Sequence, residues 1–205
     1  MTSTSNSLDY SKLYTIREPW ATRPFRLTYD DPWPNWTAEQ SVRIAHGVET
    51  IPCPIQFRVY QGGQATDFLW TQSVWLTCVS QRTVDLLLKE KISGWSTYLV
   101  EVFDRKGDFL PGYHGFAVTG PTYDLDRSRS TLIDKPAPVP GGKGYQVYRG
   151  LYFDESHWDG SDMFWIDRAG EAVTERVYQL FKRHKISNVK FTPLNEDERR
   201  PEYPR

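Results

Sequence analysis

Val79–Trp95, VSQRTVDLLLKEKISGW, returns without a gap at Val173–Val189 as VTERVYQLFKRHKISNV. Val79 aligns with Val173, Ser80 with Thr174, Arg82 with Arg176 and Leu86 with Leu180, and Lys91-Ile92-Ser93 aligns with Lys185-Ile186-Ser187. Self-similarity at a fixed spacing marks a supersecondary unit used more than once. Each copy reads as a capped helix, a turn and a strand. Ser80 and Thr174 carry hydroxyls that can accept from the free N–H groups of a first turn, and Glu175 adds negative charge where the helix dipole favours it. Helices are predicted over about 81–91 and 175–185. Thr83, Leu86 and Leu87, and Val177, Leu180 and Phe181, recur at the i, i+3, i+4 spacing of one buried face. Gly94 and Asn188 share a repeat position and tolerate positive φ, which predicts the same sharp turn in both copies. Strands are predicted over about 95–102 and 189–192. Upstream, Asp67-Phe68-Leu69-Trp70 matches Asp162-Met163-Phe164-Trp165 after a one-residue slip.

The chain has 205 residues, enough for one domain or for two small halves sharing a core. Its 25 Lys and Arg against 26 Asp and Glu give a formal charge of −1. That balance argues against nucleic acid as the main ligand, because phosphate binding calls for a basic footprint. It argues equally against an acidic surface that imitates nucleic acid. The start, MTSTSNSLDYSKLY, has no basic stretch feeding an apolar run, and no later apolar segment approaches the roughly 20 residues of a membrane span. The expectation is a soluble cytoplasmic protein with no membrane partner. Cys53 and Cys78 lack metal-ligand spacing and a disulfide-rich context, so both are expected reduced and at least one buried.

Residues 1–10, rich in Ser, Thr and Asn, are predicted to be a disordered tail. Short strands are expected near 12–17 and 25–29. A Trp- and Pro-bearing loop over 30–37 follows, then a short helix capped by Thr37. Residues 55–60 read as a strand, 103–109 as a hairpin and 114–118 as a further strand. The Pro/Gly-rich run 134–144, DKPAPVPGGKG, reads as a flexible loop joining the two related units, 67–103 and 161–194, and 195–205 as a second tail. Strands outnumber helices and do not alternate strictly with them. The fold expected is therefore α+β: one domain over 11–194, antiparallel-rich sheet or sheets with packed helices, and an internally duplicated strand-helix-strand unit.

Candidate chemistry is sparse. Asp124 and Asp126 form an Asp-x-Asp pair able to hold a divalent cation, but so short a motif serves more often to cap turns. Gly141-Gly142-Lys143-Gly144 lacks the ending of a phosphate-binding loop and precedes no helix pattern. Glu155, His157, Asp159 and Asp162 gather carboxylates around one imidazole, with no second histidine at helical spacing. No nucleophile elbow or zinc-protease pair occurs. The sequence thus offers no positive case for an enzyme, a metal or a cofactor. More informative is Leu151–Asp167, LYFDESHWDGSDMFWID, with five acids, five aromatics and no Lys or Arg. Aromatic anchors amid charge of one sign are the ingredients of a protein-binding hot spot that draws a basic partner. Phe153, Phe164 and Trp165 read equally well as core residues, with the acids on the wet face.

The layout resembles a bacterial family of predicted immunity proteins from polymorphic toxin systems, earlier known only as a domain of unknown function. The resemblance spans about 33–194. It rests on a Trp-rich N-terminal part with Gly47, on Asp67-Phe68-Leu69, on the helix start at Val79-Ser80, and on Tyr123-Asp124-Leu125-Asp126-Arg127-Ser128. Further on it rests on Gly160-Ser161-Asp162-Met163-Phe164 and on Val173-Thr174-Glu175-Arg176 leading to Val189-Lys190-Phe191-Thr192-Pro193. The Ser-rich start and the insertion at 134–144 depart from the family pattern. What the resemblance implies is a cytoplasmic protein that binds and neutralises a cognate toxin, with no catalytic residues to carry over. The contact residues expected from the acidic aromatic stretch are Glu155, Trp158, Asp159 and Asp162. The rival expectation is a small-molecule or metal-binding enzyme with a cleft between the halves, using Asp124, Asp126 and His157.

Overall fold

The computed structural model describes residues 8–19, 21–73, 75–167 and 169–201. The strands and helices run in order β1 (Leu13–Arg17), β2 (Arg26–Thr28), α1 (Ala38–Ala45), β3 (Ile55–Gln61), β4 (Phe68–Thr71), β5 (Thr77–Ser80), α2 (Gln81–Lys89), β6 (Trp95–Tyr98) and β7 (Val100–Phe103). They continue with β8 (Tyr113–Val118), β9 (Thr122–Tyr123), β10 (Thr131–Lys135), β11 (Tyr145–Arg149), β12 (Met163–Ile166), β13 (Gly170–Thr174), α3 (Glu175–Arg183), β14 (Lys190–Pro193) and β15 (Glu198–Arg199). The fold is α+β, and its sheets are mostly antiparallel. Seven strands pair in the order β6-β8-β5-β4-β2-β3-β7, five in the order β14-β1-β13-β12-β9, and three in the order β10-β11-β15.

Strand register shows that the duplication reaches far beyond the helices. In the seven-stranded sheet β5 lies between β4 and β8, with Val79 opposite Phe68 on one side and His114 on the other. In the five-stranded sheet β13 lies between β12 and β1, with Val173 opposite Met163 and Tyr14. β6 closes the first group against β8 as β14 closes the second against β1. β2 adds in parallel to β4, and β9 to β12. The chain is therefore two consecutive copies, β1 to β7 and β8 onward, and each copy lends its first strand to the sheet of the other. The one-residue slip falls in the hairpin loops that join β4 to β5 and β12 to β13.

The cores follow the same logic. Leu27, Ile55, Phe57, Leu69 and Cys78 fill the first half, and Tyr123, Leu151, Phe153, Phe164 and Ala172 stand at the matching positions of the second. Between the halves lies a shared core in which Leu86, Leu87 and Ile92 of one unit meet Leu180, Phe181 and Ile186 of the other, with Phe68, Met163, Phe116 and Ile16. A fully buried Leu or Phe contributes about 1.5–3 kcal/mol, so this shared layer is a main source of cohesion between the copies.

Polar side chains lock the junction twice in the same way. The buried Asp67 accepts from Arg82 Nε (3.0 Å) and Nη2 (2.8 Å), from Ser80 Oγ (2.9 Å), and from the backbone N–H (2.8 Å) and hydroxyl (2.7 Å) of Ser187 in the other unit. The buried Asp162 accepts from Arg176 Nη1 (2.9 Å), Thr174 Oγ1 (3.1 Å), and the N–H (3.0 Å) and hydroxyl (3.3 Å) of Ser93. Each arginine also donates across the junction to the end of the opposite helix: Arg82 to the carbonyls of His184 and Lys185, Arg176 to that of Glu90. Burial by itself would raise the Asp67 pKa, but the bonds from Arg82, Ser187 and Ser80 outweigh it and hold the carboxyl down to about 2.

Several local expectations need correction. α2 and α3 end at Lys89 and Arg183, two residues early, because Lys91 (φ 51°) and Lys185 (φ 52°) turn left-handed. The Ile92 N–H then reaches the Leu87 carbonyl and the Ile186 N–H that of Phe181, which places both isoleucines in the shared core. Gly94 (φ 81°) and Asn188 (φ 63°) take the expected turn. Ser80 accepts from the Thr83 N–H as an N-cap, whereas the Thr174 hydroxyl makes no capping bond and serves Asp162 instead. The run 134–144 is not a connector between halves; it forms the end and tip of the β10–β11 hairpin. Nor are residues 195–201 of the predicted C-terminal tail a tail: Asp197 is buried against Thr15 and Arg17, and β15 pairs with β11, while 202–205 lie outside the described residues. Of the predicted N-terminal tail, residues 1–7 lie outside the described residues, and Tyr10 is buried.

Candidate binding surface

The acidic aromatic stretch sits at the outer end of the second half, where three short 3₁₀ turns meet: Tyr10–Lys12, Arg127–Arg129 and Glu155–His157. One local sequence, Asp-x-Ser, makes all three. The carboxylates of Asp9, Asp126 and Asp154 accept from the N–H of Ser11 (3.1 Å), Ser128 (2.9 Å) and Ser156 (3.0 Å), and from the hydroxyls of the same serines. Such Asx turns fix the backbone without helix propagation. The serine bonds also hold all three carboxyls below the usual aspartate range.

Glu155 stands where the turns converge. It accepts from Tyr10 Oη and Arg129 Nη1, each at 2.8 Å, and Tyr10 Oη also reaches the Phe153 carbonyl at 2.8 Å. Desolvation pushes the Glu155 pKa up, but the bonds from Arg129 and Tyr10 exceed it and leave the carboxyl lowered. The guanidinium of Arg129 lies over the rings of Tyr10 (4.9 Å) and Tyr152 (4.7 Å). Tyr10, enclosed and bonded to a carboxylate, is pushed up to about 12.

Trp158 is half-buried, its ring against Phe164 at 6.3 Å, and its buried Nε1 has no hydrogen-bond partner among the described residues. Asp159 is exposed; its N–H donates to Tyr123 Oη (3.1 Å) and its carboxylate accepts from the Ser161 N–H (2.9 Å). Glu155, Trp158 and Asp159 thus share one outward surface around fixed turns. Asp162 does not belong to it: the side chain faces inward, engaged by Arg176, Thr174 and Ser93. Phe153 and Phe164 are fully buried, as the core reading of this stretch expected.

The residues of the rival reading are dispersed in role. Asp126 caps its own turn, His157 Nδ1 lies 3.1 Å from Asp154, and Asp124 is exposed on the segment after β9. Among the described residues no three His, Cys, Asp or Glu side chains converge as metal ligands. At the junction between the halves the shared apolar core leaves a small pocket of about 90 Å³ lined by Glu90, Ile92, Arg176, Leu180 and Arg183, and none of Asp124, Asp126 and His157 lines it. Also among the described residues, no helix is long and apolar enough to cross a membrane.

Tyr10, Tyr123 and Arg129 organise this surface, and sequence reasoning did not single them out for it. The signal was the recurrence of Asp-x-Ser at Asp9, Asp126 and Asp154. No protein-family model matches the chain, and no curated protein matches it.

Proposed function

We propose that this chain is an immunity protein that neutralises a cognate bacterial toxin by stoichiometric binding, without turnover, in the cytoplasm of the producing cell. The observation that carries the reading is the outward grouping of Glu155, Trp158 and Asp159 on turns already fixed by Asp9, Asp126 and Asp154. Binding to such a surface orders little that is not ordered beforehand, which lowers the entropic cost of association. The exposed carboxylates of Asp159 and Asp154 steer a basic partner, Glu155 paired with Arg129 holds the turn in place, and Trp158 supplies the aromatic anchor around which interface energy concentrates.

Co-expression with the product of the adjacent gene tests the reading. The expected result is a one-to-one complex and restored growth. Trp158→Ala should weaken that complex at least about tenfold, the range of a hot-spot residue. Asp159→Asn, at an exposed position, should slow association and flatten its salt dependence. Glu39→Ala, on the exposed side of α1, is the control. Affinities equal to wild type for Trp158→Ala and Asp159→Asn would remove this surface from the interface.

A further inference from the structure

Between β2 and β3 the first half carries α1 and its Trp-bearing loop, whereas in the equivalent interval the second half carries the β10–β11 hairpin. These two insertions are unlike, and their surfaces are complementary. The first forms an open groove of about 520 Å³, in which the half-buried rings of Tyr29, Trp36 and Trp75 stand with Ser41, Gln72 and Ser73. The rings are braced: Trp36 packs edge-on to Tyr29 (6.1 Å) and Trp33 (4.6 Å), and Trp75 lies 6.1 Å from Trp165. Two of the polar atoms are engaged within the chain. Gln72 Oε1 accepts from Thr28 Oγ1 (2.7 Å), and Ser73 Oγ accepts from the Trp75 N–H (3.2 Å). The three half-buried rings are the main apolar surface of the groove, and proline rings pack well against such an aromatic lining.

The second insertion ends in a proline-bearing tip. Pro136, Pro138 and Pro140 are all exposed, and Val139 between them is 61% exposed. The tip is shaped by a turn in which the Gly142 N–H donates to the Val139 carbonyl (3.1 Å). Charge agrees as well: exposed Lys143 flanks the tip, and exposed Asp31 lines the groove. We propose that the groove takes the Pro136–Pro140 tip of a second copy of this chain. A groove this small buries less than the roughly 1,200 Å² of a stable interface, so the association is weak and reversible. Groove and tip are different surfaces of one chain, so two copies close on each other only when both contacts form, and otherwise grow end to end.

Sedimentation velocity of the full chain across a wide concentration range tests this. The expected result is a sedimentation coefficient that rises reversibly with concentration. Val139→Asp should abolish the rise, and Asp31→Lys and Lys143→Asp should each weaken it. The double variant Asp31→Lys/Lys143→Asp should recover it, which no loss of folding can imitate. A monomer at every concentration, or a rise that Val139→Asp leaves intact, would overturn the proposal. So would a synthetic peptide of residues 134–144 quenching tryptophan fluorescence in a chain that never self-associates, since the groove would then belong to another proline-bearing partner.

Discussion

Asp67 and Asp162 occupy equivalent places in the two halves, yet the turns they hold have diverged in an instructive way. At Gly94 the Met163 carbonyl comes so close that any Cβ would collide with its oxygen. At Asn188 the equivalent carbonyl, that of Phe68, is far enough away to accept from the Asn188 side chain at 2.8 Å. One half fills the contact with backbone approach, the other with an amide. What the copies keep is the charged lock; the packing beside it was free to drift. The surfaces drifted furthest: Phe57 and Phe153 are equivalent core residues, but the exposed positions next to them carry Arg58 in one half and Asp154 in the other. A duplicated scaffold thus keeps its interior and can assign its two outer ends to different partners.

Removing a lock should have the largest effect. Asp67→Ala and Asp162→Ala each leave a half-exposed arginine and a serine N–H without their acceptor, and because solvent can re-satisfy part of what is lost each is expected to cost about 2–3 kcal/mol in urea unfolding. A cost below about 1 kcal/mol for either would break the equivalence of the two junctions. Acid should loosen the first lock in a defined window. The folded Asp67 pKa of about 2 lies below its unfolded value near 3.9, so the stabilisation is fully present above about pH 5 and is lost as pH falls from about 4 towards 2. The amount at stake is roughly 2 kcal/mol, and Asp67→Asn should flatten the stability profile over that range.

The turns come next. Gly94→Asn should cost more than about 2 kcal/mol, because the new side chain meets backbone that cannot retreat. Asn188→Gly should cost only about 1 kcal/mol, the net worth of its hydrogen bond. Equal costs would show that the two turns have not diverged as their geometry indicates. The smallest difference is expected at the helix starts. Ser80→Ala removes a capping bond as well as a bond to Asp67, while Thr174→Ala removes only the bond to Asp162, so the serine change should cost about 0.5–1 kcal/mol more by thermal unfolding.

The helices made the duplication legible because their requirements are local. A cap, one apolar face and a left-handed exit leave identities at Arg82 and Arg176 and at Ser93 and Ser187 that a sequence can display. The exchanged strands left no such trace. Leu13-Tyr14-Thr15-Ile16-Arg17 and Tyr113-His114-Gly115-Phe116-Ala117 share a place in their sheets but no residue at any position, since a central strand needs only apolar atoms where it meets a core. Their spacing also differs from that of the helices, so no single offset aligns both. At the candidate site, the acid and aromatic content of 151–167 was visible, but its sorting was not. The repeat set Asp162 beside Asp67 and gave Asp159 no counterpart, but it did not say which carboxylate faces inward; the position of Arg176 and Ser93 in space separates the buried lock from the exposed Asp159.

The two copies are interlocked through β1 and β8, so neither should unfold without the other. Urea unfolding followed in parallel by far-ultraviolet circular dichroism and tryptophan fluorescence tests it most directly. Coincident curves with a single transition, in the wild-type chain and in Asp162→Ala alike, are the predicted result. Two separated transitions, one half melting while the other keeps its signal, would contradict it.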